Sequence, residues 1–337
     1  MRTVQLNDFG INNLQVNEAE IPTPKRNEVL VRIKAVSLNY LDIILANGSF
    51  YKELSFPYTP ASDGAGIIEA IGENVTQWDI GDRVAIQYVQ DWAKGAIDRV
   101  SNRVRVAWQT PGVLAEYVCI PEHGVVKAPE NLSFEEIATL PIAALTAWHG
   151  LINQANLRPG QTVLVQGTGG VSLFALQIAK AAGARVIATT STHDKAGRLK
   201  ALGADAVINY NDHPDWQKKV LALTDGEGVD ITLDVVGSKT IAKSLLSVRE
   251  NGFVGTAGFI SGADLLLNIH EHKINMSFLR IQGLAVGSAE SFRALNRAIE
   301  INNIHPVIDT VFPLDQVQKA YRRLEEGNHV GKIVLSI

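Results

Sequence analysis

Residues 163–166 (VLVQ) form a short apolar run that passes into Gly167-Thr168-Gly169-Gly170-Val171-Ser172, then directly into LFALQIAKAAG. A strand that turns sharply into a helix needs glycine where the backbone folds back and where it must approach an anion closely. The helix start offers unpaired N–H groups and the positive end of the helix dipole, which suits a pyrophosphate. Gly167, Thr168, Gly169, Gly170 and Val171 are therefore candidate contacts of a dinucleotide. Ser172 stands where a third glycine is usual and is small enough for close helix–strand packing. An ordinary tight turn is the competing explanation, but a Gly-rich turn between a buried strand and a helix favours the cofactor.

The next strand decides which dinucleotide. An acid at its end would bond the ribose 2′-hydroxyl of NAD. Here residues 185–190 (RVIATT) end in Thr190, followed by Ser191 and Thr192, with no acid. Small hydroxyl residues leave room for a 2′-phosphate, and Lys195 supplies positive charge. NADPH is expected over NADH. Asp194 is read as a helix cap and Arg198 as a solvated helix charge.

Other residue types invite chemistry and are assigned none. His149 lies in an apolar helical stretch and is read as a satisfied, buried histidine. Cys119, the single cysteine, is read as a small core residue. It excludes an internal disulfide, a four-cysteine zinc site and an iron–sulfur cluster. His270-Glu271-His272 has a spacing that suits no helix-face metal site, so a solvated loop is expected. Residues 87–112 combine Trp92 and Trp108 with Arg99, Arg103 and Arg105, and read as a lid, a specificity loop or a surface insertion.

The elements that position these groups follow from patterning. Residues 29–36, 64–71 and 83–86 alternate and carry turn signals, which suggests a small barrel-like β domain. After about Pro129 the pattern changes. Ser133 and Glu136 form a capping box opening a long helical stretch to about Gln154. Strands and helices then alternate to about Ala257, the rhythm of a parallel sheet covered on both faces. Residues 278–287 read as a strand, 290–302 as an amphipathic helix, and 311–314 and 332–337 as terminal strands that rejoin the first domain.

The chain has 337 residues with 31 Lys and Arg against 35 Asp and Glu, a net charge of -4. Without a basic excess no nucleic-acid partner is expected. MRTVQLNDFG has no apolar leader core, and the charge-free stretch 137–157 carries Pro141, His149, Asn153 and Gln154. A buried helix, no membrane span and a cytoplasmic chain are expected.

The order PYTPASDGAGIIEAIG (57–72), GDRV (81–84), LTAWHGL (145–151), VLVQGTGGV (163–171), LGADAVINY (202–210) and GKIV (331–334) resembles the medium-chain dehydrogenase/reductase superfamily along essentially the whole chain. Asn39-Tyr40-Leu41-Asp42 is similar to the zinc-independent NADPH:quinone oxidoreductase branch. The resemblance implies an α/β protein. Residues 1–128, completed by 289–337, would be a GroES-like, β-rich catalytic domain. Residues 129–288 would be a Rossmann domain with a doubly wound parallel sheet. It implies an active site in the cleft between them, a small-molecule substrate, and a homodimer or homotetramer in which the 278–287 strand pairs across the interface.

Zinc-dependent members hold the metal with Cys, His and Cys, and a Glu beside the His. The matching positions are Asn39, Ser62, Ile142 and Asp63, so no zinc is expected. Leu41 replaces the hydroxyl that relays the alcohol's proton. Without that Lewis acid, hydride transfer to a quinone or an α,β-unsaturated carbonyl is the expected chemistry. Alcohol dehydrogenation or carbonyl reduction is the alternative. An NADPH-binding structural or regulatory protein is the alternative of another class. Asn39, Asp42 and Ser62 are the candidate catalytic groups; Asn39 reads equally as part of a helix-capping turn pair, and for Asp42 the capping role is the better reading. Tyr40, Tyr51 and Tyr88 are weaker candidates as donors. The resemblance carries over Ser191, Lys195 and Tyr210 to the 2′-phosphate, and Gly258, Phe259 and Ile260 to the nicotinamide-side loop. It also carries over Thr146 near the nicotinamide and Phe50 at a position often occupied by tyrosine.

Overall fold

The computed structural model describes residues 1–49, 54–262, 264–272 and 274–337. Strands β1 (Arg2–Leu6), β2 (Leu14–Glu18), β3 (Glu28–Leu38), β4 (Asp63–Ile71), β5 (Arg83–Ile86), β6 (Tyr117–Pro121) and β7 (Val125–Lys127) occupy the first part of the chain. They are followed by β8 (Thr162–Gln166), β9 (Arg185–Thr190), β10 (Ala206–Asn209), β11 (Val229–Asp234), β12 (Val248–Thr256) and β13 (Arg280–Gly283). Then come β14 (Ile308–Pro313) and β15 (Lys332–Ser336). The chain forms two compact units, 1–145 with 286–337, and 146–285. The helical residues up to Leu145 thus belong with the first unit.

In the first unit a seven-stranded sheet runs β14-β15-β3-β4-β5-β7, with β6 also on β3. Strand β3 organises it. Its start pairs with β6, its end with β15 and its length with β4, all antiparallel. Val29, Val31, Ile33, Ala35, Val36 and Leu38 are buried along it, as a β-branched strand covered on both faces requires.

The second unit is a six-stranded, all-parallel sheet of order β10-β9-β8-β11-β12-β13. The chain runs outward from β8 to β10, then returns to the other side of β8 for β11. That reversal makes a switch point at the C-terminal ends of β8 and β11, where open α/β sheets bind ligands. Leu164, Ile187, Trp216, Val220, Leu245 and Val254 are part of the core under its helices.

Two elements differ from their sequence patterns. The long helix expected to reach Gln154 is segmented. Phe134–Ile137 and Leu145–Trp148 are α-helical, while Leu140–Ala144 and His149–Gln154 widen into π turns. Pro141 removes a donor inside the first widened turn. The strand expected over 278–287 is only Arg280–Gly283. Phe278 and Val286 take left-handed φ values of 50° and 42° on either side of it, which ends the pairing.

Candidate functional site

The Gly-rich turn lies at the switch point of the second unit. Gly167 has φ 77°, a conformation that favours glycine, and its N–H donates to Thr189 O at 2.8 Å. Gly169 caps the helix Gly170–Ala181 and has no side chain of its own to bond the first-turn N–H groups. A Cβ built on Gly167 or Gly169 would meet no protein atom within 4 Å. Gly169 has an ordinary φ of -76°, so neither strain nor crowding within the chain requires glycine there. Close approach of a ligand is the remaining physical reason, and the turn fits a dinucleotide phosphate. Ser172 has a role that its small size did not reveal: its Oγ donates to Gln166 O at 2.6 Å and ties helix to strand. Thr168 is buried, and Val171 is half-buried in the first helical turn.

The end of β9 gathers the next group. Thr190 is buried and its Oγ1 has no hydrogen-bond partner. The Tyr210 N–H donates to Thr190 O at 2.9 Å, and Ser191 O accepts from Asn211 Nδ2 at 2.7 Å. Thr192, not Asp194, caps the following helix: its Oγ1 accepts the Lys195 N–H at 3.2 Å. Lys195 thus lies in the first turn of a helix that starts beside Thr190 and Ser191.

A buried carboxylate that sequence reasoning missed organises the end of β11. Asp234 Oδ1 accepts from the Val236 and Gly237 N–H groups and from Thr240 Oγ1, at 2.9–3.0 Å. Its Oδ2 accepts from Ser244 Oγ at 2.6 Å. The loop carrying Gly258, Phe259 and Ile260 is seated on this turn. The Ser261 N–H donates to Val236 O at 2.8 Å, and a Cβ on Gly258 would lie 2.1 Å from Val235 O. Phe259 and Ile260 are exposed, while Thr146 is buried. His149 is half-buried, with Nε2 3.0 Å from Gln154 Nε2, and burial holds its imidazole below the ordinary value.

In the first unit three strand ends converge. Register sets Ile333 opposite Leu38 and Ser37 opposite Asp63. Lys332, which opens β15, therefore meets Asn39, which follows β3, and Asp63, which opens β4. Lys332 Nζ donates to Leu38 O at 2.7 Å and to Asn39 Oδ1 at 2.6 Å, and stands 3.8 Å from Asp63 Oδ2. The Asn39 N–H donates to Asp42 Oδ2 at 2.7 Å, so the pair does open the helix Tyr40–Ala46. Asp42, Ser62, Asp63 and Lys332 are all buried. Asn39 Nδ2, Asp42 Oδ1, Ser62 Oγ and Asp63 Oδ1 are buried polar atoms without a partner. Desolvation pushes Asp42 up to about 7 and Asp63 to about 6. Desolvation pulls Lys332 below the ordinary lysine range, opposed by the two carboxylates. Tyr58, Tyr88 and Tyr321 border the cluster and are buried, which raises their phenols, so all three remain protonated donors. Tyr58 Oη donates to Ala107 O.

The remaining candidates divide. Phe50 and Tyr51 lie outside the described residues. Tyr40 is exposed. Cys119 is half-buried on β6, and desolvation raises its thiol to about 11, so it is no thiolate at neutral pH. The loop expected to be solvated at His270-Glu271-His272 is not so throughout: His272 is buried, with Nδ1 2.8 Å from Asn268 O. The 87–112 segment is anchored at its base, where Gln87, Tyr88, Val89 and Trp92 are buried and Gln87 Nε2 donates to Gly287 O at 2.9 Å. Among the described residues no group of three or more His, Cys, Asp or Glu could hold a metal ion. Among them, too, no helix is long and apolar enough to cross a membrane.

Residues 25–130 match the family described as alcohol dehydrogenase GroES-like domain, and residues 170–300 match zinc-binding dehydrogenase. A zinc-type alcohol dehydrogenase-like protein of Schizosaccharomyces pombe is 40% identical over 97% of this chain and 96% of its own. Human quinone oxidoreductase is 29% identical over 99% of this chain and 97% of its own. A solved structure named for alcohol dehydrogenase from Sinorhizobium meliloti superposes with a TM-score of 0.94 at 36% identity, covering 100% of this chain and 98% of that one.

Proposed function

Because the chain belongs to the medium-chain dehydrogenase/reductase superfamily and is an NAD(P)H-dependent oxidoreductase, we propose that it reduces a quinone or an α,β-unsaturated carbonyl with NADPH, without zinc. The observation that carries the reading is the set of buried polar atoms left without partners, Asn39 Nδ2 and Ser62 Oγ above all. Buried donors without a partner are costly unless a ligand meets them. Both can donate to an oxygen on which negative charge develops, which is the assistance that reduction of an activated double bond needs.

The relatives' names raise zinc, and the side chains do not fit it. Asn39 and Ser62 are poor zinc donors, Ile142 offers none, and the Asn39 carboxamide oxygen already accepts from Lys332. No step is derived through a metal.

The nicotinamide cofactor supplies the hydride when bound. The turn 167–171 would bind its pyrophosphate through backbone N–H groups. Thr190, Ser191, Lys195 and Tyr210 would hold the 2′-phosphate, with Lys195 as the cation. Gly258, Phe259 and Ile260, braced by the Asp234 turn, would border the nicotinamide with Thr146. Asn39 and Ser62 would orient the acceptor's oxygen, and Asp42 would hold Asn39's backbone in place. The exposed edge strand β13 supports a homodimer, alone or within a homotetramer.

Steady-state oxidation of NADPH against a panel of quinones and enones tests the reading. Turnover with at least one class and none with simple alcohols plus NADP is expected. Alcohol-dependent reduction of NADP would favour the alcohol dehydrogenase alternative. Tight NADPH binding with no transfer to any acceptor would favour a regulatory protein.

A further inference from the structure

We propose that Gln166, Ser244 and Asp234 form a buried hydrogen-bonded strut that ties the Gly-rich turn to the 258–262 loop, so that the pyrophosphate end and the nicotinamide end of the cofactor are held as one unit. Ser244 and Asp234 act in it as positioning residues. The inference deepens the reading of both segments as cofactor contacts and rests on it.

Strand register builds the strut. Parallel pairing sets Val163 opposite Ile231, Leu164 opposite Thr232 and Val165 opposite Leu233. The next step brings Gln166, the residue before Gly167, beside Asp234, with both side chains on one face of the sheet. Ser244, from the helix Ile241–Leu246, stands between them. Gln166 Nε2 donates to Ser244 Oγ at 2.6 Å, and Ser244 Oγ donates to Asp234 Oδ2 at 2.6 Å. Gln166 Nε2 also lies 3.4 Å from Asp234 Oδ2. All three side chains are buried. An amide nitrogen only donates and the Asp234 carboxylate accepts, so the serine hydroxyl between them has a single orientation. Gln166 Oε1 is buried without a partner among the described residues, so the strut alone orients that amide.

Each end of the strut carries a loop. At one end Gln166 O accepts from Ser172 Oγ at 2.6 Å, so the residue at the root of the Gly-rich turn is held through side chain and main chain together. At the other end Asp234 Oδ1 gathers the Val236 and Gly237 N–H groups. Val236 O then accepts from the Ser261 N–H at 2.8 Å and from Ser261 Oγ at 2.9 Å, and the Lys239 N–H donates to Ser261 Oγ at 3.0 Å. Gly237 has φ 95°, and a Cβ there would lie 2.9 Å from Phe259 Cα. The loop therefore sits on a turn whose shape Asp234 sets. Val163, Leu164, Val165 and Leu233 around the strut are apolar and buried. Apolar side chains in its three places would avoid the desolvation cost of a polar chain. What the polar chain adds is direction, because it fixes where the Asp234 turn stands relative to Gln166.

The experiment separates the two ends of the cofactor. NADPH and 2′-phospho-ADP-ribose, the same molecule without its nicotinamide, are titrated by calorimetry, and the ratio of their affinities measures what the nicotinamide end contributes. NADH with ADP-ribose repeats the comparison, so the ratio stays readable even if the 2′-phosphate assignment is wrong. Ser244→Ala cuts the strut without altering any side chain assigned to the cofactor. It should lower the ratio by about fivefold or more, with affinity for the nicotinamide-free fragment changed less than about twofold. Gln166→Leu should lower the ratio likewise, and the two substitutions together should lower it no further than either alone. An unchanged ratio, equal weakening of both ligands, or additive losses would overturn the proposal. Should Ser244→Ala not fold, Gln166→Leu alone carries the same comparison. A parent protein that binds neither dinucleotide removes the cofactor reading and this proposal with it. None of these measurements uses an acceptor. A failed quinone and enone panel with the ratio shift intact would remove the proposed reaction and leave the strut standing.

Discussion

Asp42 is buried to 2% exposure, and its carboxyl is pushed up to about 7, first by desolvation and then by the charge of Asp63. The Asn39 N–H and Lys332 pull the other way without cancelling it. A carboxyl raised on folding keeps its proton in the native state over a range where the unfolded chain has lost it. Its stabilising contribution is therefore complete below about pH 4 and fades as pH rises through about 7. Asp42→Asn keeps an acceptor for the Asn39 N–H and removes the ionisation. At pH 8 the variant should be more stable than the parent by roughly 1–3 kcal/mol, and the gain should vanish only below about pH 4. Chemical denaturation at the two pH values measures it; an equal loss at both would mean that Asp42 acts only as a cap. Lys195 makes a second residue-scale prediction. Lys195→Ala should raise KM for NADPH by about tenfold while leaving KM for NADH nearly unchanged. Equal changes for both cofactors would separate Lys195 from the 2′-phosphate. These residues differ in how far the sequence reveals them. Lys195 follows a contiguous strand, turn and helix start, so its neighbourhood can be read along the chain. Lys332 sits in the GKIV segment, but its meaning depends on which residue of β3 lies opposite, and no local pattern carries that register. Asp234 is hidden for the same reason, since its partners Gln166 and Ser244 come from other elements.

At the scale of elements, two glycines separate a steric requirement from a ligand requirement. Gly331 cannot be replaced without strain, because its φ is 91° and a Cβ would meet Val307 O at 2.1 Å. Gly331→Ala should cost roughly 2–4 kcal/mol in a denaturation midpoint, since both the backbone conformation and the pairing of β15 are disturbed. Gly169 has ordinary φ and open space in front of it. Gly169→Ala should therefore cost at most about 1 kcal/mol of stability, the difference between glycine and alanine at a helix cap. It should nevertheless weaken NADPH binding by about tenfold or more, because the added methyl occupies the approach to the helix N-terminus. Fluorescence titration with NADPH alongside thermal melts would separate the two effects; a large stability loss with unchanged binding in Gly169→Ala would sink the phosphate assignment. The alternation of strand and helix over the second unit was legible because buried parallel strands read as short apolar runs. Two boundaries were not. The helical residues 134–154 look continuous because periodicity cannot register the widened turns around Pro141 and His149. The apolar run at 278–287 looks like a full strand because left-handed backbone at Phe278 and Val286 leaves no trace in residue type.

At the scale of the molecule, the six-stranded sheet ends on a strand that the second unit does not cover. Strand β13 pairs with β12 on one side, and all four of its residues are exposed. Met276 and Phe278 beside it are 73% and 71% exposed, and Ile281 within it is 38% exposed. An open edge carrying apolar side chains is a template for pairing with another chain, and stable monomers blunt such edges with charge, proline or a covering element. Arg280 is the one charged residue in the strand, and its guanidinium lies 5.4 Å from the Phe253 ring centroid. A second copy of the chain satisfies the edge most simply, because two β13 strands related by a two-fold axis run antiparallel and present the same residues to one another. The parent protein should therefore sediment as a dimer, or as a tetramer built from such dimers, at micromolar concentration. Phe278→Asp with Ile281→Glu places like charges from both copies where apolar side chains would meet. It should shift the protein to monomer while leaving far-ultraviolet circular dichroism unchanged, because neither side chain is buried within its own chain. A parent that sediments as a monomer would remove the interface outright. A doubly substituted protein that stays dimeric would place the contact on another surface.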